Sequence, residues 1–221
     1  METVSLPEAY NPQRNHEGHV MIEIYSQNHK DTYFAIALQQ QEIVASTFSG
    51  NPKNALETIL YNLPFNMPFQ VFPEPSAQAK AVLQAIEDIY DGKDTKTALP
   101  LATKHLRSYT QKVLKATQAI PVGYVTTYGE IAKAVGGGAR AVGNAMACNR
   151  FAPIVPCHRV VKSDFGLGGY SAGGLKVKLL FLRREKRGFK EYKEINFDGG
   201  SLRVFPVECV VNKYVEGLRK S

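Results

Sequence analysis

The chain has 221 residues, 44% of them hydrophobic, with a formal net charge of +7 and three cysteines; this is enough to fill one large or two small cores without covalent staples. Cys148, Cys157 and Cys209 lie in no CxxC or CxxH spacing, which argues against a disulfide framework and a structural zinc site. No basic, apolar leader opens the chain and no run approaches a membrane span, so no membrane partner is expected and the protein should be cytoplasmic, beside a nucleoid in a prokaryote or nuclear in a eukaryote.

Residues 1–18, polar and interrupted by Pro7 and Pro12, are expected to form a loose arm, with order beginning near His19. Strand-like alternation over residues 19–25 and 33–38 predicts two strands, and residues 42–48 pair back as a hairpin after the polar QQQ stretch. Residues 55–63 and 76–90 read as helices. In the second, Ala79, Val82, Leu83, Ile86 and Ile89 recur at helical spacing, and Gly92 suits the stop. Residues 19–98 therefore form an α/β unit.

Charge divides the chain at its middle. Residues 1–100 carry 6 Lys/Arg against 12 Asp/Glu, whereas residues 101–190 carry 16 against 3, a balance of +13. A segment this basic points to a polyanion, because neutralising phosphates releases counterions and drives sequence-independent nucleic-acid binding; a solvated basic face would give the same count. Ser108-Tyr-Thr-Gln111 has the pattern of a capping box at the head of a helix that Pro121 follows. Thr127-Tyr-Gly-Glu130 is a second, opening a short helix through Val135. Gly136, Gly137 and Gly138 then make a turn, and residues 139–148 return to helix. This is the order of a helix-turn-helix, and Ala141, Gly143, Ala145 and Ala147 would let its second helix approach a surface closely. Ordinary glycine-linked helix pairs share that order.

Residues 151–161, apolar and broken by proline, read as a buried connection with a short strand. Residues 166–174 form a loop, and residues 175–187 a helix with Leu175, Leu179, Leu180 and Leu182 apolar between Lys and Arg. Residues 188–221 form a C-terminal appendage of strands around Gly199-Gly200 and a final helix, without a chemical signature.

The segment IVPCHRVV, residues 154–161, sets a cysteine beside a histidine. A cysteine among apolar residues is most often a small core side chain. His158 and Arg159 change that balance by offering a base and a cationic field that favours thiolate. Metal binding lacks support, since His16, His19, His29, His105 and Cys209 form no cluster. In an extended segment neighbouring side chains point to opposite faces, so His158 would reach the Cys157 sulfur through a water. Its other nitrogen then needs an acceptor, and Glu185 is the candidate, the sole carboxylate between Asp164 and Glu191. The alternative for Glu185 is an exposed helical side chain paired with a neighbouring Lys or Arg.

PVGYVTTYGEIAKAV, ARAVGNAM, CNRFAPIVPCHRVV and GGYSAGGLKVKLLFLRREK, in that order, closely resemble the O6-alkylguanine-DNA alkyltransferases over roughly residues 107–187, and PCHRV is highly specific to that family. The resemblance implies an α/β architecture: a ribonuclease-H-like first domain at residues 19–98, matched by position alone, and a mainly helical DNA-binding and catalytic domain at residues 104–187. It implies a methylated-DNA-[protein]-cysteine S-methyltransferase that reverses damage directly. Cys157 would take the alkyl group of O6-alkylguanine in double-stranded DNA irreversibly, with O4-alkylthymine as a further lesion, and be consumed in one turnover without metal or cofactor. His158 and Glu185 match the water-linked relay that generates the thiolate, and Tyr128 the hydroxyl that donates to guanine N3.

Arg140 matches the finger that fills the place of the flipped nucleotide. It sits with Ala139, Ala141 and Gly143 on a helix the family places in the minor groove, and Thr127 joins them as a DNA-binding residue. Asn149 matches a hinge, and Val160, Tyr170 and Ser171 the alkyl pocket. A monomer is implied. The chain departs from the pattern in reading SAGG where some relatives read SGG, in extending beyond Arg187, and in lacking the zinc ligands of some relatives' first domain. Two rivals stand beside this reading. A non-catalytic lesion binder would lack Cys157, and an operator-binding regulator would not need PCHRV.

Overall fold

β-Branched and aromatic residues in alternation give β1 (Ile22–His29), β2 (Thr32–Gln39) and β3 (Glu42–Ser49), which pair as an antiparallel meander in the computed structural model. The structure describes residues 21–64, 66–95 and 99–217; the loose arm and the ordered start near His19 expected above lie outside them. α1 (Pro52–Asn62) begins three residues before the expected Ala55, because Asn51 accepts from the Lys53 and Asn54 N–H groups and Pro52 fits the first turn. β4 (Phe69–Val71) joins β1 in parallel, giving the order β3-β2-β1-β4. α2 (Ala77–Tyr90) starts where the Ser76 hydroxyl accepts from Ala79 N–H.

The alternation buries both faces of this sheet. Ile22, Ile24, Ala35, Ala37 and Val44 pack on Ala55 and Ile59 of α1. Tyr25, Phe34, Ile36 and Leu38 pack on Val82, Leu83 and Ile86 of α2, and that cluster continues into Val113, Ile131, Val142, Phe151 and Val160. Each Val, Leu, Ile or Phe side chain among them contributes about 1.5–3 kcal/mol by leaving water.

The basic half folds as α3 (Ser108–Gln118), β5 (Tyr124–Thr127), α4 (Tyr128–Val135), α5 (Ala139–Ala147), β6 (Val160–Val161) and α6 (Gly174–Arg184). β7 (Lys193–Phe197), β8 (Gly200–Pro206) and α7 (Glu208–Gly217) follow. β8 lies between β5 and β7 in a second sheet of order β6-β5-β8-β7, so the segment after residue 187 supplies half of that sheet's strands. Val207, Val210 and Val211 pack with Val125, Val161, Leu167 and Leu182. The mixed α/β class expected from the sequence is the one observed. No helix among the described residues is long and apolar enough to cross a membrane.

Several local expectations are corrected. Ser108 is already helical, so no capping box forms there: Arg107 holds the cap position without a side-chain bond, and the Gln111 amide donates to Leu106 O. Thr127 does cap α4, accepting from Glu130 N–H at 3.1 Å, but the Glu130 carboxylate turns to Lys133 at 2.6 Å. Cys157–Arg159 is a single 3-10 turn, not extended chain. α6 stops at Arg184, short of Arg187, and its buried face is Lys178, Phe181 and Leu182, while Leu175 and Leu180 are exposed. Ala145, expected at an outer surface, faces the core with Val142 and Met146.

Candidate active site

Asn149 ties the end of α5 to the cysteine segment. Its Oδ1 accepts from Phe151 N–H at 3.0 Å, and its Nδ2 donates to Val155 O at 3.1 Å and to Cys157 Sγ at 3.2 Å. The tight turn that follows holds Cys157 at one side and sends His158 and Arg159 inward. His158 is fully buried, and its Nε2 donates to Glu185 Oε1 at 2.8 Å. A carboxylate only accepts, so Nε2 carries the hydrogen and Nδ1 keeps its lone pair. Nδ1 is buried and without a protein partner among the described residues. Glu185 caps α6, where the fold-back of that helix places it at 0% exposure rather than on a solvated face. Arg159 grips the same carboxylate through Nε and Nη2 at 2.9–3.1 Å and donates through Nη1 to Ile120 O.

Burial and charge set the protonation states. Burial would raise the Glu185 carboxyl, but Arg159 and His158 outweigh it and bring it down to about 2. Burial holds His158 below its ordinary value despite Glu185, so the imidazole rests neutral. Burial also pushes the Cys157 thiol up, against the bond from Asn149 and the charge of Lys178. The expectation that Arg159 favours the thiolate is therefore corrected: Arg159 is committed to Glu185, and the cation acting on the sulfur is Lys178. That lysine is fully buried on α6, donating to Val160 O at 2.6 Å and Gly169 O at 3.2 Å, and burial lowers it to about 8.

A cleft of about 110 Å³ opens onto Cys157. Tyr128 and Tyr170 stand on its walls, α5 lends Gly143, Met146 and Ala147, and the loop before α6 lends Gly169 and Ser171. Thr127, by capping α4, places Tyr128 at the helix start; burial raises both tyrosine hydroxyls, which keeps them protonated donors. Gly168, at φ +68°, lies where a Cβ would come within 3.1 Å of the Tyr128 ring, so that close approach requires glycine.

Of the residues singled out in the sequence, Cys157, Tyr128, Gly143, Tyr170 and Ser171 line the cleft, and His158, Glu185 and Asn149 support the cysteine from behind. Ala139, Arg140 and Ala141 are exposed on the first turn of α5, outside the cleft. Val160 was expected in the pocket; its side chain is fully buried in the main core, and only its carbonyl serves the site, through Lys178. Sequence reasoning missed Met146, Gly169 and Lys178, and placed Ala147 on an outer surface where it lines the cleft. Lys178 lies on the same helical face as Phe181 and Leu182, a lysine in an apolar stripe, and that was the available signal. No group of three or more His, Cys, Asp or Glu that could hold a metal ion occurs among the described residues.

Residues 108–187 match the family described as "6-O-methylguanine DNA methyltransferase, DNA binding domain". The chain is similar to the "Methylated-DNA--protein-cysteine methyltransferase" of Mycobacterium leprae, 44% identical over 116 residues that cover 52% of this chain and 68% of that protein. With the protein of the same name from Methanothermobacter thermautotrophicus it is 36% identical over 112 residues, 50% of this chain and 63% of that one. Among solved structures it is similar to Mycobacterium tuberculosis OGT in complex with DNA, with TM-score 0.60, 27% identity, and coverage of 74% of this chain and 92% of that one. It is also similar to the O6-methylguanine-DNA methyltransferase of Pyrococcus kodakaraensis strain KOD1, with TM-score 0.59, 25% identity, and coverage of 75% and 99%.

Proposed function

This chain belongs to the methylated-DNA--protein-cysteine methyltransferase family, and from that premise we propose that it repairs O6-alkylguanine in duplex DNA by moving the alkyl group irreversibly onto Cys157. The observation that carries the reading is the cleft opening onto the Cys157 sulfur, with His158 and Glu185 hydrogen-bonded behind it. The resting group is a thiol, because burial raises it, so a base must act at the moment of transfer. His158 is neutral with Nδ1 free and takes the sulfur's proton through a water; Glu185 steadies the imidazolium through Nε2. The thiolate attacks the alkyl carbon, the new S–C bond forms as the C–O6 bond breaks, and the electron pair returns to guanine. Tyr128 donates to guanine N3 as that charge develops, and the proton lost from sulfur is balanced by the one guanine regains. No cofactor takes part.

A stacked, paired guanine keeps O6 beyond the reach of a cleft thiol, so the nucleotide must be swung out. Arg140, exposed at the start of α5 beside Ala139 and Ala141, would fill its place, with the helix in the minor groove; Thr127, buried with its hydroxyl capping α4, would serve DNA binding only by fixing the start of that helix. Tyr170 and Ser171 wall the alkyl group, and Asn149 holds the sulfur. We read residues 19–98 as the first domain, residues 104–187 as the DNA-binding and catalytic domain, O4-alkylthymine as a second lesion, and the protein as a monomer wherever the cell keeps its DNA.

The test is base analysis of an O6-methylguanine duplex after incubation. The wild type should convert the lesion to guanine and Cys157→Ser should not; survival of the lesion with wild-type protein would refute the reading. Arg140→Ala should slow duplex repair about tenfold or more, the order of one lost ordering contact, with little effect on free O6-benzylguanine. Equal losses on both substrates would remove Arg140 from that role.

A further inference from the structure

An aromatic column runs from the first sheet to the proposed relay. Phe34 on β2 meets the Tyr90 ring edge-on at 5.2 Å, and Phe48 on β3 lies 5.5 Å from the same ring. Tyr90, the last residue of α2, meets Phe181 on α6 edge-on at 5.3 Å, with Phe48 also 5.3 Å from Phe181. Phe181 in turn lies flat beneath the His158 imidazole, ring centroids 4.5 Å apart and planes 28° apart. Both Phe34 and Phe181 are fully buried.

Tyr90 also holds the end of α6 that carries Glu185. The Arg184 guanidinium sits 4.3 Å over the Tyr90 ring, and its Nη1 donates to Tyr90 O at 2.8 Å. Arg187 donates to the carbonyl of Gly92, two residues on. The Tyr90 hydroxyl is fixed by Thr32 Oγ1 at 3.0 Å. Phe181 and Arg184 thus both rest on one tyrosine of the first unit, and Glu185 follows them directly on the chain.

Geometry explains why this matters for the chemistry. The bond from Nε2 to Glu185 fixes one ring nitrogen but leaves the imidazole free to swivel about that line, since the torsion to an sp2 ring is soft. A flat ring 4.5 Å away sets the plane, and with it the direction in which Nδ1 points. An aliphatic side chain of similar volume would fill the space without setting the plane.

Resting on the reading of Cys157, His158 and Glu185 given above, we propose that Phe181 and Tyr90 are positioning residues for the alkyl transfer, so that the end of α2 in the first unit holds the imidazole and the carboxylate in register. The groups facing His158 are Glu185, Arg159 and Lys178, with the Tyr170 ring on another side; none is itself substituted in the variants that test this, and the Tyr90 variants leave in place the Phe181 ring that meets Tyr170 at 6.3 Å.

The experiment compares wild type, Phe181→Leu, Tyr90→Leu and Tyr90→Phe between pH 5 and 9. It measures the single-turnover rate on an O6-methylguanine duplex, and the rate at which iodoacetamide modifies Cys157, located by peptide mass because Cys148 and Cys209 are exposed. Both leucine variants should fall about tenfold in both rates, with the acid limb of each profile displaced, whereas Tyr90→Phe keeps the ring and the wild-type profile. Wild-type rates and profiles in folded leucine variants would overturn the proposal. So would an equal fall in Tyr90→Phe, or a fall in rate with an unmoved pH profile, which marks general loosening. Should Phe181→Leu fail to fold, the Tyr90 pair decides. Displaced Cys157 modification beside a wild type that never consumes the duplex lesion would sustain the positioning role and remove the repair reading alone.

Discussion

At the scale of single residues, the site keeps Cys157 and His158 of one buried turn and Glu185 at the end of α6 in unlike protonation states. His158 lies below its ordinary pKa of 6.5, so it is a neutral base at neutral pH and is lost as a base only when pH falls through that lower value. Single-turnover repair should therefore hold from neutral pH upward and decline only on acidification below the ordinary 6.5; an acid-side decline already under way above 6.5 would contradict a base held neutral by burial. Glu185 is depressed to about 2 from 4.5, so its contribution to stability is present above 4.5 and fades as pH falls between the two. Glu185→Gln leaves the Arg159 charge buried without its partner. It should cost about 3–5 kcal/mol in urea unfolding and slow transfer, and an unaltered unfolding midpoint would contradict the buried pair. Lys178→Met keeps the stem but removes the one cation that opposes burial at Cys157. The thiol should titrate higher and react about tenfold more slowly at neutral pH, read by absorbance of the thiolate.

At the scale of elements, the sequence was most informative where a pattern is local and repeated. The period-two strands before residue 50 and the helical stripe of Val82, Leu83, Ile86 and Ile89 are sums over many residues; β2, β3 and α2 stand where expected, while β1 runs on to His29, past the expected end at Tyr25. Helix ends were less legible, because the cap depends on one residue's backbone: Asn51 took the start of α1, and Ser108 fell one position inside α3. The tight turn at Cys157 and the burial of Lys178 were hidden, and the choice between a buried and an exposed Glu185 left open, for a different reason. They follow from α6 folding back over residues distant in sequence, and no window contains both partners.

The glycine turn between α4 and α5 shows what local reading does capture. Gly137 sits at φ +87°, and a Cβ there would meet the Tyr109 hydroxyl at 2.9 Å. Gly137→Ala should therefore lower stability by about 1–3 kcal/mol, measured as a shift in the urea midpoint. In the second sheet, Leu202 on β8 is 2% exposed and belongs to the main cluster. Leu202→Ala should cost about 2–5 kcal/mol, which a free-standing C-terminal tail would not.

At the scale of the whole molecule, the acidic first half and the basic middle fold onto one continuous apolar cluster, so charge is segregated while the core is shared. The +13 balance of residues 101–190 predicts that binding to undamaged duplex weakens steeply with salt, by about a thousandfold between 50 and 200 mM for a protein meeting six phosphates; a salt-independent affinity would contradict the electrostatic footprint. That footprint was legible from composition, and the chemistry from PCHRV. The link between the halves through Tyr90 and Phe181 was not, since each is an ordinary core aromatic until the two units are seen together. The central claim is that Cys157 itself ends the reaction bearing the alkyl group. Intact and peptide mass of the protein after incubation with excess O6-methylguanine duplex tests this most directly: the account predicts a gain of one methyl group per chain, carried on the Cys157 peptide, and is contradicted by no gain or by a methyl group found on Cys148 or Cys209 instead.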